Sequence, residues 1–345
     1  MITIATVFSG GGGVECGAVG CGVQPIWGLE YDAEIASVYR MNFQDPLAVA
    51  NICDVNPKSF TPPDVFHGSP PCPSFSRSKR GGLESAQDIQ LAKSFAGFIS
   101  ELKSSIVTLE NVPAYEGSES MKWVRDALSR GGYEWDESVY NSADYMVPQT
   151  RKRFVVRAVR GASLPPKPVA SNQWISWHEA VEDLLGGLPE SKMANWQLAR
   201  LEDHWHGGCA SWDYNTFVDE DGLLQCIRFP VTGGQTRTLD VWDEIPILVE
   251  GDAGGKRPPT VLVQDKPMFT VKTSGGGRVH RIVLPRPYRV LEVTPRCLAR
   301  FQSFPDWYAL PEGRGKKGLA QTVIGNAVPP AMYTAILESL LPVLE

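Results

Sequence analysis

No part of the chain approaches the ~18 consecutive apolar residues that a membrane-spanning helix needs. The longest apolar runs are short; residues 2–8, for example, include two threonines. The opening Met1-Ile2-Thr3-Ile4 has no basic segment and no cleavage site, so no secretory signal is expected. Cysteine is sparse and odd in number, seven in 345 residues with no framework spacing. A disulfide scaffold is therefore excluded, and reduced thiols in a cytoplasm are expected. A strong charge of either sign is also lacking, since 33 basic and 39 acidic residues leave a net charge of −6. With 43% hydrophobic and 21% charged residues, the composition is that of a folded globular protein. The length suggests two domains, or one large domain with an insert, and a core that needs no staples. No internal repeat is visible.

The mild negative charge argues at first against nucleic acid, but the charges are unevenly placed. Residues 148–160 hold five basic residues (Arg151, Lys152, Arg153, Arg157, Arg160) and no acid. Residues 271–300 hold seven (Lys272, Arg278, Arg281, Arg286, Arg289, Arg296, Arg300) against Glu292 alone. Residues 161–270 between them carry 8 basic and 16 acidic residues. Two basic stripes on an acidic body are compatible with a polyanion in one cleft, or with two ordinary solvated faces.

The first 160 residues alternate between strand and helix patterns. Strands are predicted at 2–8, 25–30, 64–68, 105–109, 133–140 and 154–159, and helices at 32–42, 85–103 and 121–129. Such alternation implies an α/β fold with a doubly wound, mostly parallel sheet, which binds ligands at the carboxyl ends of its strands. Residues 164–168, rich in proline, read as a linker. Ser176 and Glu179 suggest a capping box for a helix through Leu185. Residues 186–270 are irregular, rich in Trp, Gly and Asp, and a last helix is expected at 331–341.

Four places could carry chemistry. Phe8-Ser9-Gly10-Gly11-Gly12-Gly13 follows the first strand and opens a helix. Glycines there permit positive φ and close approach to a ligand, and a helix N-terminus favours an anionic group. The dinucleotide pattern G-x-G-x-x-G fails in every register, and the phosphate-binding Walker pattern is absent. Glu30 ends the second strand, where an acid can accept from ribose hydroxyls. The loop is thus a nucleoside cofactor site or a glycine-rich tight turn. Cys72, in Gly68-Ser69-Pro70-Pro71-Cys72, sits at a strand end, as a nucleophile if its pKa is lowered or as a small buried hydrophobe. Glu110, before Asn111 and Val112, is a carboxyl at a strand end that can hold a proton near neutrality. Strand alternation would put Gln149, Arg151 and Arg153 on one face.

In this order the four resemble the motifs of the DNA (cytosine-5) methyltransferases. The family's first motif matches residues 8–13, its Pro-Cys motif Pro71-Cys72, its Glu-Asn-Val motif residues 110–112 and its Gln-x-Arg-x-Arg motif residues 149–153. A later motif matches residues 294–306, and the closing Gly-Asn-x-Val-Pro-Pro motif matches 325–330. The resemblance covers about 1–160 and 265–345 and leaves the middle to a variable target recognition domain. It implies a class I methyltransferase sheet in a catalytic domain at 1–165, completed by a C-terminal helix in 318–345. A smaller recognition domain with its hinge would span 166–317.

The resemblance further implies S-adenosylmethionine as cofactor and a specific double-stranded DNA sequence as substrate. Phe8, Ser9, Gly10, Gly11, Gly12 and Gly13 would hold the cofactor, with Glu30 on its ribose and Tyr31 beside the adenine. Asn51, Ile52, Pro70, Asn326 and Val328 would complete the pocket. Cys72 would add to C6 of a flipped-out cytosine, Glu110 would serve N3, Arg153 would meet the O2 side of the base, and Arg151 would support it. Ser76 and Arg77, with Arg286 and Arg289, would contact DNA. A monomer is expected, with no membrane partner, no metal, and a cognate restriction endonuclease as a possible companion in a bacterial or phage-infected cell.

The chain departs from the family at Pro73, where Gln is frequent, and at Asn51, where Asp is frequent. Its glycine run is also longer than usual. His204, His206 and Cys209, with Cys226, fit no standard zinc spacing. The tryptophans of the middle region read mainly as core. Rival readings are a tRNA cytosine-5 methyltransferase and a catalytically silent DNA-binding module. The first would usually carry a Cys-Phe-Thr signature, which is missing here, and the second is opposed by retention of Cys72 and Glu110. The failed glycine pattern disfavours a nicotinamide oxidoreductase.

Overall fold

A computed structural model describes residues 1–71, 84–191, 226–231, 235–240, 246–252, 260–273, 278–285, 288–313 and 316–345. Seven strands form the main sheet: β1 (Thr3–Val7), β2 (Gln24–Glu30), β3 (Leu47–Val49), β4 (Val65–Gly68), β5 (Ile106–Asn111), β6 (Tyr133–Asn141) and β7 (Lys152–Arg160). Their order is β3-β2-β1-β4-β5-β7-β6. The first five run parallel, and β7 is antiparallel to both of its neighbours. β1 and β4, at the centre, are almost fully buried, as expected of strands covered on both faces.

Helices α1 (Gly13–Gly20), α2 (Ala33–Asn42), α3 (Ala86–Leu102) and α4 (Glu119–Arg130) supply the crossovers. Their starts follow from local chemistry. Asp32 caps α2 by accepting from the backbone of Glu34 and Ile35, and Ser85 with Asp88 forms a complete capping box on α3. The apolar stripe of α3, with Phe95, Phe98, Ile99 and Leu102, packs on Phe66, Val107 and Leu109 of the sheet.

The C-terminal part adds α5 (Trp177–Val181), α6 (Pro295–Phe301), α7 (Lys316–Asn326) and α8 (Pro330–Glu338). The helix expected from Ser176 through Leu185 is shorter. Ser176 accepts from the backbone of Glu179, but α5 stops at Val181 and a 3-10 turn follows through Gly187. Gly186 and Gly187 supply no side chain to hold a longer helix in place. The region read as irregular contains strands: β8 (Cys226–Val231), β9 (Gln235–Asp240), β10 (Ile247–Asp252) and β11 (Thr260–Val263). With β12 (Arg278–Pro285) and β13 (Tyr288–Glu292), they form a two-stranded sheet β8-β9 and a four-stranded antiparallel sheet β11-β10-β12-β13. Short hairpin strands interrupted by Pro and Gly give little period-2 signal, so the pairing is decided by partners and not by pattern.

One buried cluster joins the two ends of the chain. Cys16, Tyr39 and Phe43 share it with Trp177, Met268, Leu291, Phe301, Tyr308 and Val323. A second sets Ile4, Val14 and Val65 against Met332, Tyr333 and Ile336 of α8. Residues 294–310, which the sequence placed with the smaller domain, therefore pack against the helices that flank the glycine loop.

Candidate active site

The carboxyl ends of β1, β2, β4 and β5 lie side by side in the sheet order and bring the glycine loop, Glu30, Pro70 and Glu110 to one edge. After β1 the backbone turns sharply. Phe8 has φ 59°, a left-handed value unusual for a residue with a side chain, and Gly10 and Gly12 have φ 57° and 90°. Gly10 N–H donates to Glu30 Oε2 at 2.8 Å, and Asp32 N–H donates to Glu30 Oε1 at 2.9 Å. The carboxylate is thus fixed at the end of β2 while each oxygen keeps a lone pair for another donor.

Glycine is required along this loop for different reasons at different positions. A Cβ at Gly11 would strike Val323 and the Tyr308 hydroxyl, and one at Gly13 would lie 2.6 Å from the Val328 carbonyl. At Gly10 a Cβ would meet nothing within 4 Å, so this side of the loop is open. The open face, the N-terminus of α1 and the fixed Glu30 make a cradle that suits a ligand with vicinal hydroxyls and a polar tail. Tyr31 is 74% exposed beside it, Ile52 is buried, and Ser9 is nearly so. Asn51 Oδ1 accepts from Cys53 N–H at 3.0 Å, so the carbonyl expected at the adenine also caps the turn at Ile52–Asp54. Val328 is buried, and Asn326, the last residue of α7, is exposed. Tyr308 OH donates to the Gly11 carbonyl, a contact from a residue that no local pattern marks.

At the neighbouring strand ends, Glu110 is buried and its Oε1 lies 2.9 Å from Arg153 Nε. That contact is out of line for a hydrogen bond, so the attraction is between charges. Asn111 Nδ2 donates to the Pro70 carbonyl at 2.9 Å, tying β5 to the segment that leads to Cys72. Cys72, Ser76 and Arg77 lie outside the described residues, as do Pro73, Arg286, His204, His206 and Cys209. Among the described residues no cluster of three or more His, Cys, Asp or Glu could hold a metal ion.

Gln149, Arg151 and Arg153, expected on one face, divide their work. Gln149 is fully buried. Its amide donates to the Phe301 carbonyl and to Gln302 Oε1, and its oxygen accepts from Val271 N–H at 2.7 Å. Arg151 is buried as well, and donates to the carbonyls of Val271 (3.2 Å), Gly325 (3.0 Å) and Ala327 (3.2 Å). Burial, and then Arg153 nearby, push its pKa well below the usual arginine value. Only Arg153 of the three touches Glu110.

The basic stripes need correction. Arg151 and Arg157 are interior; Arg157 binds Asp136, the carbonyls of Pro165 and Pro166, and Ser339. Arg289, expected on DNA, donates to Glu190 Oε1 at 2.8 Å. Arg296 binds the Tyr308 carbonyl, and Arg300 pairs with Asp183 and Asp306. A charge count along the chain cannot separate solvated arginines from those recruited by buried carbonyls. Trp177 is core, as expected of the middle tryptophans. Trp174 is half exposed with its indole N–H on Asp144, and Trp196, Trp205, Trp212 and Trp242 fall outside the described residues.

With this fold and this cluster in view, comparison with known proteins gives one answer. Residues 2–341 match the C-5 cytosine-specific DNA methylase family, and the chain belongs to it. It is 27% identical over 353 residues to the type II methyltransferase M.NgoFVII of Neisseria gonorrhoeae, covering 99% of this chain and 86% of that one. It is 27% identical over 357 residues to the type II methyltransferase M1.HphI of Haemophilus parahaemolyticus, covering 99% and 87%. The methyltransferase EhMeth of Entamoeba histolytica has the same fold, with a TM-score of 0.62 at 14% identity over 100% of this chain and 99% of that one. The chain is a DNA cytosine-5 methyltransferase.

Proposed function

We propose that the chain transfers a methyl group from S-adenosylmethionine to C5 of a cytosine within a specific duplex sequence, through a covalent adduct between Cys72 and C6 of the flipped-out base. The observation that carries this reading is the placement of Glu110, paired with Arg153, on the strand whose end holds the Pro70 carbonyl, two strands from the glycine loop with β4 between them. S-adenosylmethionine, when bound, supplies an electrophilic methyl group. Phe8, the glycine loop and Glu30 would hold it, with Tyr31, Asn51, Ile52, Pro70, Asn326 and Val328 around the adenosine and methionine parts.

Cytosine C5 is a poor nucleophile until a thiolate adds to C6. Glu110 at N3 then disperses the charge of the adduct, and Arg153 steadies both the carboxylate and the O2 side of the base. After C5 is methylated it gives up its proton to a base, and the Cys72–C6 bond breaks. Ring attack requires a base removed from the stack. Arg151, bonded to three backbone carbonyls, supports the site from beneath and does not touch the base. Ser76, Arg77 and Arg286 remain candidates for DNA contact, the middle region is the proposed recognition domain, and the type II names of the relatives suggest a restriction endonuclease as companion.

The test is trapping. Random-sequence duplexes containing 5-fluorocytosine, incubated with the full chain and S-adenosylmethionine, should give an adduct that survives denaturing gel electrophoresis. Cys72→Ser should abolish it and Glu110→Gln should slow it strongly. DNA methylated at C5 by a fully active Cys72→Ser enzyme with no adduct would refute the mechanism. Duplexes left unmethylated while RNA is modified would refute the substrate.

A further inference from the structure

Glu15 lies in the first turn of α1, directly after the glycine loop, and is completely buried. Its side chain points back toward the strand that precedes the loop, the direction helical side chains take. There a line of hydroxyls connects it to β2. Leu29 N–H donates to Ser9 Oγ at 2.9 Å, Ser9 Oγ lies 2.7 Å from Thr6 Oγ1, and Thr6 Oγ1 lies 2.5 Å from Glu15 Oε1. Ser9 N–H also donates to the Leu29 carbonyl, so Ser9 fastens the loop to the residue before Glu30 on both sides. None of the activities assigned above uses Glu15.

The second carboxyl oxygen, Oε2, has no hydrogen-bond partner among the described residues. The groups that face the carboxyl are few. The Tyr39 hydroxyl of α2 lies beside it without the geometry of a full hydrogen bond and donates instead to Asp45 Oδ2 at 2.7 Å. Asp45 adds a repulsive charge, and Cys16, Tyr308 and Tyr333 complete the surroundings. No cation is among these neighbours, so an ionised Glu15 would hold a buried, half-satisfied charge.

We propose that Glu15 is a positioning residue for the methyl donor: its Oε1 accepts from Thr6 and so ends the Thr6–Ser9 hydroxyl line that holds the glycine loop against the end of β2, and a charge left on the unpartnered, buried Oε2 loosens that line. This rests on the reading of the loop as the S-adenosylmethionine site. Desolvation, with Asp45 adding to it, raises the Glu15 pKa to about 8. Cys16, Tyr39, Tyr308 and Tyr333 are pushed upward by burial, away from the range between pH 7 and 9, and burial raises Asp45 as well. A folded pKa above the unfolded value means that the folded state binds the extra proton. Relative to a Gln variant, stability therefore falls as pH rises from the unfolded value toward 8 and is level beyond it.

The experiment is calorimetric titration of the full chain with S-adenosylhomocysteine at pH 7 and pH 9. Wild type should lose about tenfold in affinity at pH 9, where roughly one molecule in ten retains the proton. Glu15→Ala should bind about tenfold more weakly at pH 7, the worth of one buried hydrogen bond. Glu15→Gln should restore most of that loss and flatten the pH response. The ligand's own ammonium titrates equally in every variant and cancels in the comparison. Thr6→Val, which removes the middle hydroxyl without changing volume, should weaken binding as Glu15→Ala does and answers the question if the latter fails to fold. A Glu15→Gln enzyme that keeps the alkaline loss, or a folded Thr6→Val with wild-type affinity, would overturn the proposal. Wild type that binds no ligand at either pH would instead overturn the cofactor reading beneath it.

Discussion

The two halves of the site are held in opposite ways. On the cofactor side most of the polar contacts are local in sequence, with Tyr308 on the Gly11 carbonyl added from far along the chain. Gly10 meets Glu30, Ser9 meets Leu29, and Thr6 meets Glu15, all within one strand–helix–strand unit. On the target side, Gln149 and Arg151 bond to Val271, Phe301, Gly325 and Ala327, residues more than a hundred positions away. The first half is framed within one such unit and then covered by Tyr308 and Val323 from the C-terminal segment. The second exists only when the C-terminal segment has returned to the sheet, so the target side depends on the closure of the whole chain.

That contrast can be broken most severely at Arg151. Arg151→Met would leave the carbonyls of Val271 and Gly325 without their arginine donor, while Ala327 keeps its bond from Gln302, and unfolding in urea should show a loss of about 3–5 kcal/mol. Arg151→Lys should recover little of it, because one ammonium cannot reproduce the guanidinium fork. A loss below about 1 kcal/mol would mean that the joint is held by apolar packing alone.

Glu30→Ala sharpens the comparison from the local side. It removes the acceptors for Gly10 and Asp32 together with those offered to the ribose, so S-adenosylmethionine affinity should fall by about 1.5–3 kcal/mol while the urea midpoint barely moves. Calorimetry showing unchanged affinity in a folded variant would remove Glu30 from the pocket.

The smallest effect is expected at Arg289. Its Nε is occupied by Glu190, so Arg289→Ala should change the slope of log affinity for DNA against log salt by much less than the ~0.9 of a phosphate contact. A change of the full size, measured by fluorescence anisotropy across a salt series, would return Arg289 to the DNA face.

Much of this protein was readable before any coordinate. The apolar runs at β1, β4 and β5 and the capping residues Asp32 and Ser85 determine their elements by period and local hydrogen bonding, and the Phe8–Gly13 loop and Glu30 follow from strand ends and the φ freedom of glycine. The order of short motifs pointed to the family because chemistry at a base and at a nucleoside needs those side chains at strand ends. Tertiary structure alone decided the rest. Arg151 turned inward because carbonyls of distant segments needed a donor, and Arg157 because Asp136, the neighbouring Pro165 and Pro166 carbonyls and the Ser339 hydroxyl surround it; a linear charge count carries no term for either. Tyr308 reached Gly11, and Glu15 became a buried carboxyl, because α6, α7 and α8 close over the loop from the other end of the chain. Periodicity records which face of an element is apolar; which distant element covers that face, and which polar groups are trapped beneath it, is fixed only when the chain packs.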